Sequence, residues 1–279
     1  MKALRLIALL ALALAAATPA AQRAPLTLGA VGFAGQNVEQ TAGAIGAFLQ
    51  AGLGRPIQVR VYAKYQEILD ALGSRQLDLA ILTPVNFVEA EEKLGVKPIA
   101  NPIYSSGEAN YRGVILALAK RKDIAQLLDL RGKKIAFVDE RSASGCVVPR
   151  GLLAGAGLKP GKDVREVFTG NHVKSIEALV KGEVDAAATY DMLLAETPSI
   201  GHGMDEFTVL ARSEAIPGEV LVGARDLPAA DAMLIKAQLL KFGDRRKTDK
   251  TLENCVYQWF FGYDRSRYDT LRKLWRATK

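Results

Sequence analysis

The feature that most constrains the fold is a stretch of 20 residues that occurs twice in the chain. "YQEILDALGSRQLDLAILTP" at 65–84 aligns without gaps to "HVKSIEALVKGEVDAAATYD" at 172–191, so equivalent residues are 107 positions apart. Each copy has the pattern of a helix, a tight turn and a buried strand. The simplest architecture for such a chain is two similar α/β lobes that present equivalent loops.

Short apolar strands alternate with amphipathic segments on both sides of this repeat, which predicts α/β lobes with mostly parallel sheets. The predicted strands are 26–31, 57–62, 77–82, 97–103, 111–119, 133–139, 164–168 and 184–189, and the predicted helices are 37–51, 65–73, 84–94, 145–156 and 173–181. The part of the chain after about residue 225 has a mostly helical pattern. We therefore expect one α/β unit in each half of the chain.

The N-terminus has the pattern of a secretory signal peptide over residues 1–21. Lys2 and Arg5 precede an apolar run of about a dozen residues, which is shorter than the roughly 20 residues that span a bilayer. No cysteine near the cleavage region could receive a lipid. We therefore expect an exported protein that diffuses in a periplasm-like space and does not span a membrane.

Composition excludes several classes of function. The chain of 279 residues has 37 Lys and Arg against 30 Asp and Glu, and these charges are evenly mixed. No basic block alternates with aromatic residues, so a nucleic acid is not expected as a partner, whereas a small anion is. Two histidines and two cysteines are too few and too scattered for a metal cluster. We expect no metal and no cofactor.

The stretch "FVDERSASGCVVPRG", residues 137–151, runs from a strand through Ser142 to Gly145 into a helix. The first turn of a helix has unpaired N–H groups and the positive end of the helix dipole, so such a junction can bind an anion. A serine there can also act only as the helix N-cap. The stretch alone leaves both interpretations open.

The repeat places further polar residues at equivalent positions. Tyr65 and His172 begin the two repeated helices, and Thr83 and Tyr190 end the two repeated strands. Ligands of open α/β sheets bind beyond the carboxyl ends of the strands. If the lobes face each other, these four residues and the serine turn converge on one cleft.

Asp78 and Asp185 occupy near-identical turns in the two copies. That context favours a structural role in the turn over contact with a ligand.

These segments together give the chain a resemblance to the phosphate, phosphite and phosphonate substrate-binding proteins of ABC importers. The resemblance covers nearly all of the mature chain, through the repeat, "LTLGAV", "YRGVILA", "FVDERSASG" and "IPGEVLVGARDLP". It implies a two-lobed type II periplasmic-binding-protein fold of the Venus-flytrap kind. It also implies a ligand-binding protein and not an enzyme, and the sequence itself offers no catalytic arrangement.

Carried over motif by motif, the resemblance implies a set of oxyanion-binding residues. They are Tyr65, Tyr111, Ser142, Ser144, Gly145 and His172, with Thr83 and Asp191 as further cleft-lining positions and Ala143 inside the turn. Hydroxyls and helix-start N–H groups can donate to phosphoryl oxygens, and an imidazole could add a positive charge. We also expect Asp191, if it reaches the cleft, to suit the amine of a zwitterionic phosphonate.

Two residues of the turn depart from the family pattern. Ala143 stands where the family has a threonine, so one hydroxyl donor is missing. Cys146 stands where an aromatic residue is common. A thiol at a helix start has a lowered pKa and could bind arsenite, but Cys146 could also be a small buried hydrophobe or form a disulfide with Cys255.

The sequence therefore predicts a periplasmic protein that closes on a small oxyanion and delivers it to an ABC permease. The alternative is a ligand sensor that signals to a membrane histidine kinase. We expect a monomer in which residues 22–110 and 207–279 form the first lobe and residues 111–206 the second. The hinge strands are predicted near 105–113 and 204–212.

Overall fold

The computed structural model describes residues 24–32 and 37–278, so the predicted signal peptide lies outside the described residues. The strands are β1 Leu26–Val31, β2 Ile57–Tyr62, β3 Leu79–Leu82, β4 Lys97–Tyr104, β5 Asn110–Leu118, β6 Lys134–Phe137, β7 Arg165–Phe168, β8 Ala186–Tyr190, β9 Phe207–Pro217, β10 Val220–Gly223 and β11 Tyr257–Gly262. The helices are α1 Val38–Leu53, α2 Tyr65–Gly73, α3 Pro84–Leu94, α4 Val148–Gly155, α5 His172–Val180, α6 Asp191–Glu196, α7 Ala229–Leu239, α8 Phe242–Arg246 and α9 Asp269–Ala277. None of the helices in the described ranges is long and apolar enough to cross a membrane.

Two mixed sheets flanked by helices form two lobes, which confirms the predicted α/β class. The first sheet has the strand order β11-β4-β10-β3-β1-β2, and the second has the order β7-β6-β8-β5-β9. The sheets are less parallel than the sequence pattern predicted, because β4, β5, β9, β10 and β11 all take part in antiparallel pairs. The chain enters the second lobe through β4 and β5 and returns through β9 and β10, so the returning strand lies antiparallel to the outgoing strand in each sheet.

The repeat forms the same structure in both lobes. α2 and α5 begin at Tyr65 and His172, and each leads through a tight turn to a central strand. The Asp78 carboxylate accepts the backbone N–H of Thr27 at the start of β1, at 2.7 Å. The Asp185 carboxylate accepts the N–H of Lys134 at the start of β6, at 2.9 Å. Both aspartates therefore fix a strand start, as expected of structural turn residues.

Two short segments connect the lobes. The first, residues 105–109, joins β4 to β5, and the second, Gly218 and Glu219, joins β9 to β10. The two segments are adjacent, because the N–H of Gly218 donates to the carbonyl of Ala109 at 3.0 Å. A Cβ on residue 218 would lie 2.9 Å from the Tyr104 hydroxyl, so this crossing requires a glycine.

The second crossing lies later in the chain than the sequence predicted. β9 pairs with β5 in the second sheet over almost its whole length, so residues 207–217 belong to the second lobe and not to the first. The prediction of hinge strands near 204–212 was wrong for the same reason. Alternation of polar and apolar residues identifies a strand, but this pattern does not show which other strand pairs with that strand. The mostly helical pattern after residue 225 likewise missed β11, the edge strand of the first sheet.

An ion pair joins the lobes beside the serine turn. Glu89 on α3 accepts the Arg141 guanidinium of the second lobe at 2.8 Å and the Lys93 ammonium at 2.6 Å. Burial raises the pKa of Glu89, but these two hydrogen bonds outweigh it and hold the pKa below its ordinary value. The Glu89 side chain is only 5% exposed, so it depends on both partners while the lobes are together.

We expect Arg141→Met to loosen the contact between the lobes. The variant leaves a buried carboxylate with Lys93 as its remaining cationic partner, and an unsatisfied buried group costs about 1–3 kcal/mol. The ligand-free variant should show a larger radius of gyration in small-angle X-ray scattering and a lower free energy of unfolding in urea. Arg212→Met is the matched control, since Arg212 pairs with Asp191 within the second lobe. Equal effects of the two substitutions would contradict a role between the lobes.

Candidate functional site

A cavity of about 330 Å³ lies between the lobes and beside the chain crossings. Seven of the residues singled out in the sequence line it: Tyr65, Thr83, Tyr111, Ser142, Ala143, Ser144 and His172. Tyr190, which the repeat pairs with Thr83, also lines it. The predicted convergence of helix starts and strand ends is therefore present in the structure.

The serine turn forms one wall of the cavity. Residues Ala143–Val147 form a π-type turn that continues into α4, and such turns are frequent at functional sites. The Ser142 hydroxyl accepts the N–H of Gly145 at 3.0 Å, so it caps the turn and still borders the cavity. The interpretations of Ser142 as an N-cap and as an anion-binding residue are therefore compatible.

Gly145 supports the turn without lining the cavity. A Cβ on residue 145 would collide with the Val138 side chain and would lie 2.7 Å from the Ser142 hydroxyl oxygen. The close approach of the turn to β6 therefore requires a glycine at this position.

Two tyrosines bring hydroxyl groups to the serine turn from other elements. Tyr65 begins α2 of the first lobe, and its phenol lies close to the Ser142 side chain. Tyr111 lies on β5 beside the first crossing, and its phenol lies close to the Ser144 side chain. Burial raises the pKa of both phenols well above 10, so both keep their protons and can donate them.

His172 completes the polar wall as a neutral imidazole. Its Nε2 lies 3.5 Å from the Ser142 hydroxyl, and its Nδ1 lies 3.0 Å from the hydroxyl of Thr189 on β8. The Tyr190 ring packs edge-on against the imidazole with 4.8 Å between centroids. Burial lowers the pKa of His172 from 6.5 to about 3, so the positive charge expected from the sequence is absent at neutral pH.

A carboxylate that sequence reasoning missed also lines the cavity. Glu219 lies in the second crossing, where its carboxylate accepts the Tyr104 hydroxyl at 2.5 Å. Burial raises the pKa of Glu219, while hydrogen bonds from Tyr104 and Tyr257 oppose the shift. Its negative charge in turn raises the pKa of Tyr65 and of Tyr111, which places it near the oxyanion donors. The available sequence signal was a glutamate directly after a Pro-Gly pair between two apolar strands.

Thr83 presents a hydroxyl that is free to bind a ligand. Its Oγ1 is buried and has no hydrogen-bond partner among the described residues. The residue lies at the N-cap position of α3, but the side chain makes no capping bond. An unpaired hydroxyl in a cavity wall is a favourable hydrogen-bonding group for a ligand, because leaving it unpaired is costly.

Asp191 does not reach the cavity, contrary to the sequence prediction. Its carboxylate accepts the backbone N–H of Arg112 and of Met192, each at 3.1 Å, and the guanidinium of Arg212 at 3.1 Å. Asp191 therefore fixes the start of α6 against β5 and β9. The acidic group that faces the cavity is Glu219 instead.

Cys146 does not face the cavity either. Its side chain is fully buried in the core of the second lobe with Phe137 and Leu153. Burial raises the pKa of the thiol to about 12, the opposite of the shift expected for a helix start. Cys255 is buried in the core of the first lobe, and both cysteines are unpaired. The arsenite site and the disulfide therefore have no basis in the structure.

The described residues that line the cavity supply neither a cation nor a metal site. None of the described residues that line it is a lysine or an arginine. The described part of the chain also has no cluster of three or more His, Cys, Asp or Glu side chains that could hold a metal ion. The wall therefore combines neutral donors with the Glu219 carboxylate, and a second carboxylate, Glu196, stands at the exposed rim.

A comparison with known families matches residues 33–268 to the family described as the periplasmic substrate-binding protein of phosphonate ABC transporters. Among curated proteins, the phosphate-import protein PhnD of Mycolicibacterium smegmatis is 29% identical over 159 residues. That match covers 53% of this chain and 49% of the relative, so it spans about half the length of each.

Solved structures share the fold. A binding-protein component of a phosphonate ABC transporter from Pseudomonas aeruginosa superposes with a TM-score of 0.78 at 19% identity, covering 90% of this chain and 85% of that chain. PhnD1 of Prochlorococcus marinus in complex with methylphosphonate gives 0.74 at 17% identity, covering 91% and 98%. These neighbours confirm the two-lobed binding-protein architecture. The matched family is a transporter component, and no finding supports the alternative of a kinase-linked sensor.

The neutral state of His172 predicts how stability depends on pH. Above pH 6.5 the imidazole is neutral in both the folded and the unfolded state. Below that pH the unfolded state gains a proton that the folded state, with a pKa of about 3, does not. This group should therefore lower the free energy of unfolding by about 1.4 kcal/mol per pH unit as the pH falls from 6.5 toward 3.

Urea unfolding between pH 7.5 and pH 5 measures this dependence. His172→Gln should show a decline that is shallower by about 2 kcal/mol over the interval, whatever its stability at pH 7.5. His202→Gln is the control and should keep the steep decline. Parallel curves for the wild type and His172→Gln would contradict a buried neutral imidazole.

Proposed function

The chain belongs to the periplasmic substrate-binding proteins of phosphonate ABC transporters, and from that membership we propose that it captures an organophosphonate between its lobes and delivers it to an ABC permease. The observation that carries the proposal is the cavity wall, where the described residues supply neutral donors beside the Glu219 carboxylate and no cation. We also propose that the exported protein is a monomer without a lipid anchor.

The donors suit the oxyanion end of such a ligand. The side chains of Tyr65 and Ser142 lie close together although they belong to opposite lobes, and Tyr111 and Ser144 form a second pair within the second lobe. A phosphonate oxygen placed between the members of a pair would accept from both. Neutral donors bind the oxyanion without burying an opposite charge beside it, so release of this end of the ligand does not require a buried ion pair to be broken.

Glu219 suits a ligand that carries a donor of its own. An ionised carboxylate is only an acceptor, and next to a fully deprotonated oxyanion it would repel the ligand. An ammonium group on the phosphonate substituent would reverse that effect, because a charge-assisted hydrogen bond is among the stronger polar contacts. The favoured ligand class is therefore an aminoalkylphosphonate.

The volume of the cavity supports an organic substituent. About 330 Å³ falls within the roughly 300–1,000 Å³ typical of sites for small organic ligands. At about 30 Å³ per water, it would hold on the order of ten waters, whereas an inorganic oxyanion has only five heavy atoms. Apolar side chains such as Val31, Ile81 and Met192 supply walls for a carbon chain.

The contacts across the cavity also couple binding to closure. Tyr65 and Thr83 belong to the first lobe, and Ser144 and His172 belong to the second. A ligand that contacts both sets stabilises the closed form by more than the open form, since the full set of contacts exists only when the lobes meet. The membrane permease would then read the closed form.

Titration calorimetry with four ligands tests the proposal. 2-Aminoethylphosphonate should bind about ten to one hundred times more tightly than ethylphosphonate, because one charge-assisted bond contributes about 1.5–3 kcal/mol. 2-Aminoethanesulfonate should bind weakly, since a sulfonate carries one negative charge and is a poorer acceptor. Inorganic phosphate is the fourth ligand and should bind more weakly than the aminoalkylphosphonate.

Glu219→Gln separates the amine from the oxyanion end. This variant should lose the preference for 2-aminoethylphosphonate and should bind ethylphosphonate at least as tightly as the wild type, because the repulsion between the carboxylate and the oxyanion is removed. Glu196→Gln is the matched control at the exposed rim and should change neither affinity by more than about twofold. Equal affinity of the wild type for the two phosphonates would exclude recognition of the ligand's amine. Absence of binding to all phosphonates would exclude the proposed function.

A further inference from the structure

A neutral histidine in a binding site has one donor nitrogen and one acceptor nitrogen, and its tautomer decides which of them faces the ligand. His172 directs Nε2 toward the cavity and Nδ1 toward the core of the second lobe. An oxyanion accepts hydrogen bonds and donates none when fully ionised. The site can therefore use His172 only if the proton is on Nε2.

Thr189 is the partner that can fix the tautomer. Its side chain is fully buried on β8, and its Oγ1 lies 3.0 Å from His172 Nδ1. Among the described residues this is the only hydrogen bond of the Thr189 hydroxyl. A buried hydroxyl proton without an acceptor costs about 1–3 kcal/mol.

This cost distinguishes the two tautomers. If Nδ1 carried the proton, it would donate to Thr189 Oγ1, and the Thr189 proton would have no acceptor. If Nδ1 is bare, the Thr189 hydroxyl donates to it and both groups are satisfied. The second arrangement leaves the imidazole proton on Nε2, where it faces the cavity.

The Ser142 hydroxyl depends on the same choice. Its oxygen already accepts the N–H of Gly145 at 3.0 Å, and it lies 3.5 Å from Nε2 of His172. A bare Nε2 would attract the Ser142 proton and remove it from the cavity. A protonated Nε2 cannot accept it, so the imidazole does not withdraw the serine proton from the cavity.

We propose that Thr189 is a positioning residue that holds His172 in the Nε2–H tautomer, and that it thereby directs two donors, His172 Nε2–H and Ser142 Oγ–H, at the ligand oxyanion. This inference rests on the proposed function for its ligand but not for its geometry. Thr189 does not line the cavity and acts only through His172.

Nitrogen-15 NMR of the ligand-free protein tests the tautomer directly. The chain has only two histidines, so His202→Gln leaves a single imidazole spin system. At pH 7.5 the two-bond proton–nitrogen correlations should show the Nε2–H pattern for His172. An Nδ1–H pattern in the wild type would overturn the proposal whatever the protein binds.

Substitutions at Thr189 test the consequence for binding. Thr189→Val keeps the shape but removes the donor, and we expect about tenfold weaker binding of 2-aminoethylphosphonate and of ethylphosphonate alike. Thr189→Ser keeps the hydroxyl and should bind within about twofold of the wild type. Thr197→Val is the matched control, since Thr197 is equally buried in the same lobe and its hydroxyl donates to the Leu194 carbonyl.

The outcomes separate this inference from the proposed function. Unchanged affinity in Thr189→Val would overturn the positioning role, as would an equal loss in Thr197→Val. If Thr189→Val fails to fold, two results still test the positioning role. They are the tautomer of His172 in the wild type and the affinity of Thr189→Ser, which should be within about twofold of the wild type. An Nε2–H tautomer in a protein that binds no phosphonate would reject only the proposed function, whereas phosphonate binding with an Nδ1–H tautomer would reject only this inference.

Discussion

The absence of a cation in the described wall of the cavity is the constraint on which the rest of the site depends. A buried anion without a counter-charge is tolerated only when hydrogen-bond donors are already fixed around it. Two of the donors here are held by a neighbour, since the N–H of Gly145 donates to Ser142 and Thr189 hydrogen-bonds with His172. Burial keeps the phenols and the imidazole neutral, so the wall is a set of oriented dipoles.

The duplicated unit explains why these donors converge. In both lobes a helix begins at a polar residue, and an aspartate in the following turn fixes the start of a neighbouring strand. Asp78 and Asp185 therefore fix equivalent strand starts in the two sheets, and Tyr65 and His172 begin the equivalent helices. Two copies of one folding unit face each other, and each contributes the start of its repeated helix to the site.

Local patterns in the sequence predicted the repeated units well, because helix periodicity and strand alternation are properties of neighbouring residues. Pairing between distant strands is not such a property, so β9 was assigned to the wrong lobe. The direction of a side chain at a strand end is equally non-local. Asp191 satisfies backbone N–H groups, Cys146 packs in the core, and Glu219 occupies a crossing that no periodic pattern includes.

The position of Glu219 in a chain crossing has a kinetic consequence. Groups at a pivot hardly move when two rigid bodies rotate, whereas groups far from it travel along an arc. Glu219 lies in the second crossing, and Tyr104 and Tyr111 lie beside the first, so an open molecule that had rotated about these crossings would still present all three to an arriving ligand. The donors carried by the lobes reach it only afterwards. Selectivity in the encounter step would then be set at the pivot, and the lifetime of the complex would be set by the lobes.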